Sequence, residues 1–377
     1  LQAGFISAGM DVTLLGPLPT PGVSYLANSN NQVGLVISAS HNLFEDNGIK
    51  FFNKNGQKFS EELEKRIEVK LTEEMVPVDS ISLGKATRMS DAQERYIEFC
   101  KLPFTDLDLS GLNILLDCAN GATYSVAPKV FTELGASIEA VAASPDGINI
   151  NKNCGSTNPD FLKDQMSKGN YDMGIAFDGD GDRILIISSQ GTILDGDDIL
   201  FILSQKMPPN SGVVGTLMTN KALELHFQKN KIDFLRADVG DKYVLNELVN
   251  NEWLLGGEPS GHIICLDSAP TGDAIIAALK FLDSIKEKGF SIDKSLNDFK
   301  KFPQTLINLK VDSPNRIIMD DKFWAKVTEI ETKLGNLGRV LIRPSGTEPL
   351  IRLMVESEEP SLSENLCNSL AELALKI

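Results

Sequence analysis

Histidine and cysteine are scarce in this chain, and basic residues are outnumbered. Its 377 residues include 3 histidines, 5 cysteines and 36 Lys+Arg against 52 Asp+Glu, a formal net charge of -16. Histidines so few and so dispersed exclude a zinc site built from imidazoles. Cys100, Cys118, Cys154, Cys265 and Cys367 stand singly, with no C-x-x-C pair, which argues against a thiolate metal site or a disulfide framework and fits a reducing, cytoplasmic setting. The acidic balance repels nucleic acid and anionic lipid, so neither partner is expected, and an anion site needs locally placed Arg or Lys. No apolar run approaches the roughly 18 residues of a membrane span, and residues 1–10 have no basic segment of the kind that opens a signal peptide.

What is present is an ordinary globular composition, 42% hydrophobic and 23% charged. The length exceeds what one core usually serves, so two to four domains of roughly 100–200 residues are expected. Short β-rich runs alternate with amphipathic stretches, the signature of βαβ units with largely parallel sheets. Strands are predicted at 113–117, 137–141, 173–177 and 184–187, with a helix at 123–134 and another from about Asp197. A comparable unit has strands at 213–217, near 234, near 253 and at 263–266, with helices from Asn220 and Asp241 and over 273–288. Segment 34–50 with a helix at 60–71 reads as the end of a third. The last stretch alternates apolar and polar residues at 306–311, 338–343 and 350–355, as half-buried antiparallel strands do, with helices at 321–334 and 361–376. The expected fold is α/β: three related α/β domains with mixed or parallel sheets (1–106, 107–207, 208–302) plus a C-terminal α+β domain (303–377).

Four loops could carry chemistry. Asp178-Gly-Asp-Gly-Asp-Arg183 sets three carboxylates at alternate positions, so one turn can aim Asp178, Asp180 and Asp182 at a single hard cation such as Mg²⁺. An EF-hand is excluded, because Arg183 and Ser189 stand where it needs glycine and glutamate. The plain alternative is a solvated acidic turn. Arg343-Pro-Ser-Gly-Thr-Glu-Pro349, with Arg352 in the next strand, offers backbone N–H groups, hydroxyls and guanidinium for a phosphate, or else a proline-stiffened hairpin turn.

In Gly256-Gly-Glu-Pro-Ser-Gly-His262, Glu258 stands where a nucleophile elbow needs glycine. Glu258 and Ser260 suit sugar hydroxyls, and His262 either supports the loop or shuttles a proton. The stretch Val36-Ile-Ser-Ala-Ser-His-Asn-Leu-Phe-Glu-Asp-Asn-Gly-Ile-Lys50 presents Ser40 with no hydrolase triad in view. It is either a turn or a phosphoryl carrier, the latter given a metal and a cation such as Lys50.

Together, in this order, the loops resemble the α-D-phosphohexomutase superfamily, most closely its bacterial phosphoglucosamine mutase branch. The matching stretches are Ser38-Ala-Ser-His-Asn42 with Asn47-Gly-Ile-Lys50, the aspartate loop, Gly257-Glu-Pro-Ser-Gly-His262 and Arg343-Pro-Ser-Gly-Thr-Glu-Pro349. Gly16-Pro-Leu-Pro-Thr-Pro21, Arg95-Tyr-Ile-Glu-Phe-Cys100 and Gly155-Ser-Thr157 fit as well. The resemblance implies four domains around a central cleft, with Ser40 the phosphoserine. Asp178, Asp180, Asp182 and the Ser40 phosphate would bind one Mg²⁺, with Arg183 beside the transferring group. Lys50 and His262 match the positions that assist proton transfer, and Glu258 and Ser260 the sugar readers. Arg343, Ser345, Gly346 and Thr347 match the loop that holds the other phosphate, with Arg352 nearby.

The activity implied is interconversion of glucosamine 6-phosphate and glucosamine 1-phosphate through a sugar 1,6-bisphosphate, feeding cell-wall amino-sugar precursors. Phosphomannomutase, phosphoglucomutase or a non-catalytic phosphosugar-binding protein are the alternatives, and the chain is expected to be a monomer or homodimer. Two departures stand out. The family's Gly-Thr-Asp-Gly-Ile-Arg-Gly and Arg-Asp-Thr-Arg motifs are not found, so the first domain is expected to lack its N-terminal part. Leu43 replaces the usual proline after Ser-His-Asn, predicting a looser turn.

Overall fold

Strands that lie between two helical layers must be apolar on both faces, and the runs predicted at 173–177 and 184–187 behave so. Met173–Phe177 and Ile184–Ser188 are buried at every position. The structure, a computed structural model, describes residues 1–296, 299–311, 313–344 and 349–377. The second unit is a five-stranded sheet in the order Ser137–Val141, Asn113–Asp117, Met173–Phe177, Ile184–Ser188, Ile193–Leu194. Its first two junctions are parallel and its last two antiparallel.

The third unit repeats this plan with Asp233–Ala237, Gly212–Thr216, Leu255–Gly257 and Ile263–Cys265, two parallel junctions followed by one antiparallel. In the first unit, Gly34–Ser38 pairs antiparallel with Gly48–Phe52, and Val12–Leu14 pairs parallel with Ala86–Arg88. The second unit has a further hairpin with Ile193–Leu194, and each unit contributes one of three antiparallel hairpins: Gly34–Ser38 with Gly48–Phe52, Met173–Phe177 with Ile184–Ser188, and Leu255–Gly257 with Ile263–Cys265. The tips of these three hairpins are the serine loop, the aspartate loop and the Glu-Pro-Ser-Gly-His loop.

Helix starts follow the capping side chains. Asp195 closes a capping box with Asp198 at Gly196–Ser204, Asn220 caps Lys221–Lys229 and Asp273 caps Ala274–Ile285; each side chain takes backbone N–H groups that have no partner within the helix. The helix predicted at 123–134 is broken instead: a 3₁₀ turn, Ala122–Ser125, precedes an α-helix at Ala127–Glu133. Pro128 is the reason, since inside a continuous helix it would remove a hydrogen bond and press its ring on the preceding turn, whereas in a first turn it costs nothing. The strand expected near 253 begins at Leu255, because Glu252 ends the preceding helix in a left-handed conformation at φ 56.

The C-terminal unit has Leu350–Ser357 between Gln304–Lys310 and Gly338–Pro344, all antiparallel. Helices Asp321–Leu334 and Pro360–Ala374 contribute Phe323, Val327, Ile330 and Leu370 to a core with Ile351, Leu353 and Val355. That core is separate from the continuous one, Leu18 to Ile292, that the first three units share. Arg339, paired with the buried Glu356 of its own unit, joins the last unit to the third by donating to the carbonyls of Leu217 and Thr219 at 2.6 and 2.7 Å. All five cysteines are buried and free. Among the described residues, no helix is long and apolar enough to cross a membrane.

Candidate functional site

The aspartate loop is shaped by its own first carboxylate. Asp178 Oδ1 accepts the backbone N–H groups of Gly181, Asp182 and Arg183, each at 3.1 Å. Gly181 makes the fold-back possible at φ 74. The other oxygens, Asp178 Oδ2, Asp180 Oδ1 and Asp182 Oδ1, are buried without a hydrogen-bond partner. One carboxylate oxygen from each residue lies within 4.8 Å of the others. Burial and the charges of Asp182 and Asp180 push the Asp178 carboxyl well above its ordinary range. Burial would also raise Asp182, but the His262 and Lys50 charges hold it well below. Buried oxygens this close and unpartnered fit a hard divalent cation.

Two basic groups from other hairpins face this triad. Lys50, on the strand Gly48–Phe52, donates to Asp180 at 2.6 Å and Asp182 at 3.2 Å. Burial alone would lower its pKa, yet Asp182 and Asp180 raise it, so Lys50 is held as an ammonium. His262 places Nδ1 at 3.6 Å from Asp182 and Nε2 at 3.8 Å from Asp241. Arg183 lies 4.0 Å from Asp182, with its buried Nε unpartnered.

Ser40 sits at the tip of the first hairpin with φ 54, its N–H donated to Ser38 Oγ at 2.8 Å and its Oγ 3.3 Å from His41 Nδ1. The stretch is a turn, and its half-buried serine lies where the first hairpin meets the aspartate loop. A side chain on Gly179 would put its Cβ 2.5 Å from the Ser40 carbonyl oxygen, so the two loops touch backbone to backbone. Asn151 clamps them, donating through Nδ2 to the carbonyls of Ser40 at 2.8 Å and Asn42 at 2.7 Å. Leu43 adopts φ -73, within the range proline would fix, so the expected loosening of the turn is not seen in its backbone.

The Glu258 loop is knitted to the same place. Ile184 donates to the Gly261 carbonyl at 3.0 Å and Gly196 to that of Pro259 at 3.1 Å. Glu258 is buried and accepts the Gly240 N–H at 2.9 Å, while Ser260 is exposed. In the last unit Arg343 and Arg352 are directly opposite on neighbouring antiparallel strands. Like charges so placed repel unless an anion lies between them. Ser345, Gly346 and Thr347 lie outside the described residues.

Four contributors were given no role by the reading of the sequence, although Thr20 lies in the matching stretch Gly16–Pro21. Thr20 opens the helix Thr20–Ser29, donates its N–H to the Asp180 carbonyl at 2.9 Å and its hydroxyl to the Asp180 carboxylate. Asn151, Lys58 and Asp241 also reach the site, and nothing in their local spacing announces it. A surface depression of about 580 Å³ lined by Asn113, Glu139 and Tyr171 lies where the second unit's parallel strands begin, and shares no residue with the site.

Known proteins match the chain domain by domain. The phosphoglucomutase/phosphomannomutase alpha/beta/alpha domains I, II and III match residues 1–76, 94–191 and 195–302, and the C-terminal domain of that family matches 306–373. The chain belongs to the phosphoglucomutase/phosphomannomutase family. Among curated relatives, the phosphoglucosamine mutase of Alcanivorax borkumensis is 45% identical over 381 residues, covering 100% of this chain and 86% of that one. The phosphoglucosamine mutase of Pseudomonas entomophila is 47% identical over 384 residues, with coverage of 100% and 86%.

In three dimensions a phosphoglucomutase/phosphomannomutase family protein from Burkholderia thailandensis superposes with a TM-score of 0.80 at 24% identity, covering 100% of this chain and 84% of that one. The Aspergillus fumigatus N-acetylphosphoglucosamine mutase, solved with GlcNAc-6P and magnesium, gives 0.72 at 19% identity, with coverage of 94% and 92%. The phosphohexomutase chain thus has the three related α/β units and distinct fourth unit of its family.

Proposed function

We propose that this phosphohexomutase interconverts glucosamine 6-phosphate and glucosamine 1-phosphate through a phosphorylated Ser40. The observation that carries the reading is the backbone contact between the Ser40 turn and the aspartate loop, clamped by Asn151 and faced by Lys50. Phosphoryl transfer asks mainly for positioning and for neutralised oxygen charge. Bound at Asp178, Asp180 and Asp182, one Mg²⁺ would supply that charge to the phosphoryl oxygens. The Ser40 phosphate would move to the free hydroxyl of the sugar phosphate: the bond from phosphorus to Ser40 Oγ breaks, one to the sugar oxygen forms, and the hydroxyl proton passes to a neighbouring base, a role that His262 would fill in its neutral form. Ser40 Oγ takes a proton as it leaves, for which the Lys50 ammonium is the candidate donor. The resulting 1,6-bisphosphate turns over, and its other phosphate returns to Ser40 with the proton restored.

Glu258 and Ser260 would hold sugar hydroxyls, Arg183 would face the transferring group, and Arg343, Arg352 and residues 345–347 would hold the phosphate that stays. The substrate is then a small hexosamine phosphate, and the setting cytoplasmic. Relatives named phosphoglucosamine mutase at 45% and 47% identity support the amino-sugar assignment over mannose or glucose phosphates. The test is intact-mass analysis for one phosphoryl group on Ser40, together with coupled assays on glucosamine, glucose and mannose phosphates. An unphosphorylated, inactive enzyme would remove the mutase reading, and a preference for glucose or mannose would remove the amino-sugar reading alone.

A further inference from the structure

Asp241 is a carboxylate that neither the metal loop nor the four motifs account for. It is the first residue of the helix Asp241–Asn251, and the N–H of the preceding Gly240 is taken by Glu258 Oε1 at 2.9 Å. His262 Nε2, buried and without a hydrogen-bond partner, stands 3.8 Å from its Oδ2. Asp241 is thus set between the proposed sugar reader and the proposed proton carrier. The same Oδ2 is bound by the ammonium of Lys58, which reaches across from the first unit. Lys58 and Asp241 each keep 24% of their side-chain surface exposed, so the pair is open to exchange. The two units also meet further out, where Lys242 and Tyr243 both reach Glu61, so Lys58 lies within a wider contact and does not hold the units together alone.

An alkylammonium seated on a carboxylate, beside a loop suited to sugar hydroxyls, describes what an amino sugar would need. We propose that Asp241 reads the C2 ammonium of the hexosamine phosphate, which takes the place of Lys58 on the carboxylate. The inference rests on the amino-sugar reading above and gives it a residue. Its size follows from what each sugar leaves behind. A neutral hexose phosphate leaves Lys58 paired with Asp241, so no buried charge is stranded and rejection is mild. An amino sugar exchanges the partly exposed Lys58 pair, worth little by itself, for a charge-assisted hydrogen bond of its own, a net gain of about tenfold in relative kcat/KM.

The experiment compares kcat/KM for glucosamine 6-phosphate and glucose 6-phosphate in the full chain and in Asp241→Asn, which keeps the side-chain shape. The expected result is a fall of about tenfold in the amino-sugar preference, expressed mainly in KM. Equal losses on both sugars would reveal a merely positioning role and overturn the proposal, as would an unchanged preference. A second measurement needs no variant: in the wild-type enzyme, KM for glucosamine 6-phosphate should climb relative to glucose 6-phosphate as pH passes the substrate's own amine pKa. A flat ratio overturns the proposal. A wild-type enzyme without amino-sugar preference would instead remove the functional reading on which it rests.

Discussion

Asn151 holds the Ser40 carbonyl at 2.8 Å from a different structural unit. A second bond from the same amide nitrogen, to Asn42 at 2.7 Å, makes one side chain the clamp on the proposed nucleophile's turn. Each such bond contributes about 1 kcal/mol net, enough to keep Ser40 at one distance from the metal loop. Asn151→Ala should lower kcat about tenfold or more with a smaller change in KM. Steady-state kinetics beside a melting curve that shifts little is the check; a change confined to KM would place Asn151 in substrate binding instead.

The two arginine- and serine-bearing hairpins divide the labour between chemistry and grip. Ser40→Ala should abolish turnover while leaving sugar-phosphate binding measurable by calorimetry. Arg343→Ala should weaken binding first, since Arg343 and Arg352 lie opposite one another where an anion relieves their repulsion. Dissociation constants moving in the reverse order would contradict both roles.

Three close carboxylates make the metal loop a place where function opposes stability. Asp178→Asn keeps an oxygen for the three backbone N–H groups and removes a charge that burial, Asp182 and Asp180 all disfavour. In chelator the variant should melt at a higher temperature than the parent. It should also lose most of the rise that Mg²⁺ gives the parent, and about a hundredfold or more in activity. Thermal scans with and without Mg²⁺ decide this, and a variant that melts lower in chelator would refute the repulsion argument.

Much of this architecture is legible in the sequence because the relevant signals are local. Alternating residues announce the last sheet, Asp195, Asn220 and Asp273 announce helix starts, and the three aspartates of 178–183 share one turn. What escapes is what depends on distant partners. Asn151 is one asparagine in a polar loop until the first unit folds against it, and Lys58 and Asp241 are 183 positions apart. The break in the helix near Pro128 was open to local reasoning, because the interior-proline penalty outweighs the apolar periodicity around it.

Asp197 provides a pH test away from the metal loop. It is buried, accepts the Asn220 N–H at 2.8 Å through Oδ2, and has no partner for Oδ1. Burial first, and then the Asp195 charge, push its pKa from 3.8 to about 8. Between those values the folded chain keeps a proton that the unfolded chain has released, so this carboxyl lowers stability as pH rises through the window. The slope is at most about 1.4 kcal/mol per pH unit. Asp197→Asn removes the titration, and its melting temperature relative to the parent should increase from about pH 5 to about pH 8. A difference that shrinks with rising pH would reverse the assignment.

The hairpins that end in the site's three loops have a consequence for how such a site could arise. The Ser40 turn, the aspartate loop and the Glu258 loop each occupy the tip of an antiparallel hairpin in one of three related units, so duplication of one unit would deliver three loops to a common place before any of them had a separate task. Divergence would then need only to change side chains at the tips, while the strands beneath them kept their geometry.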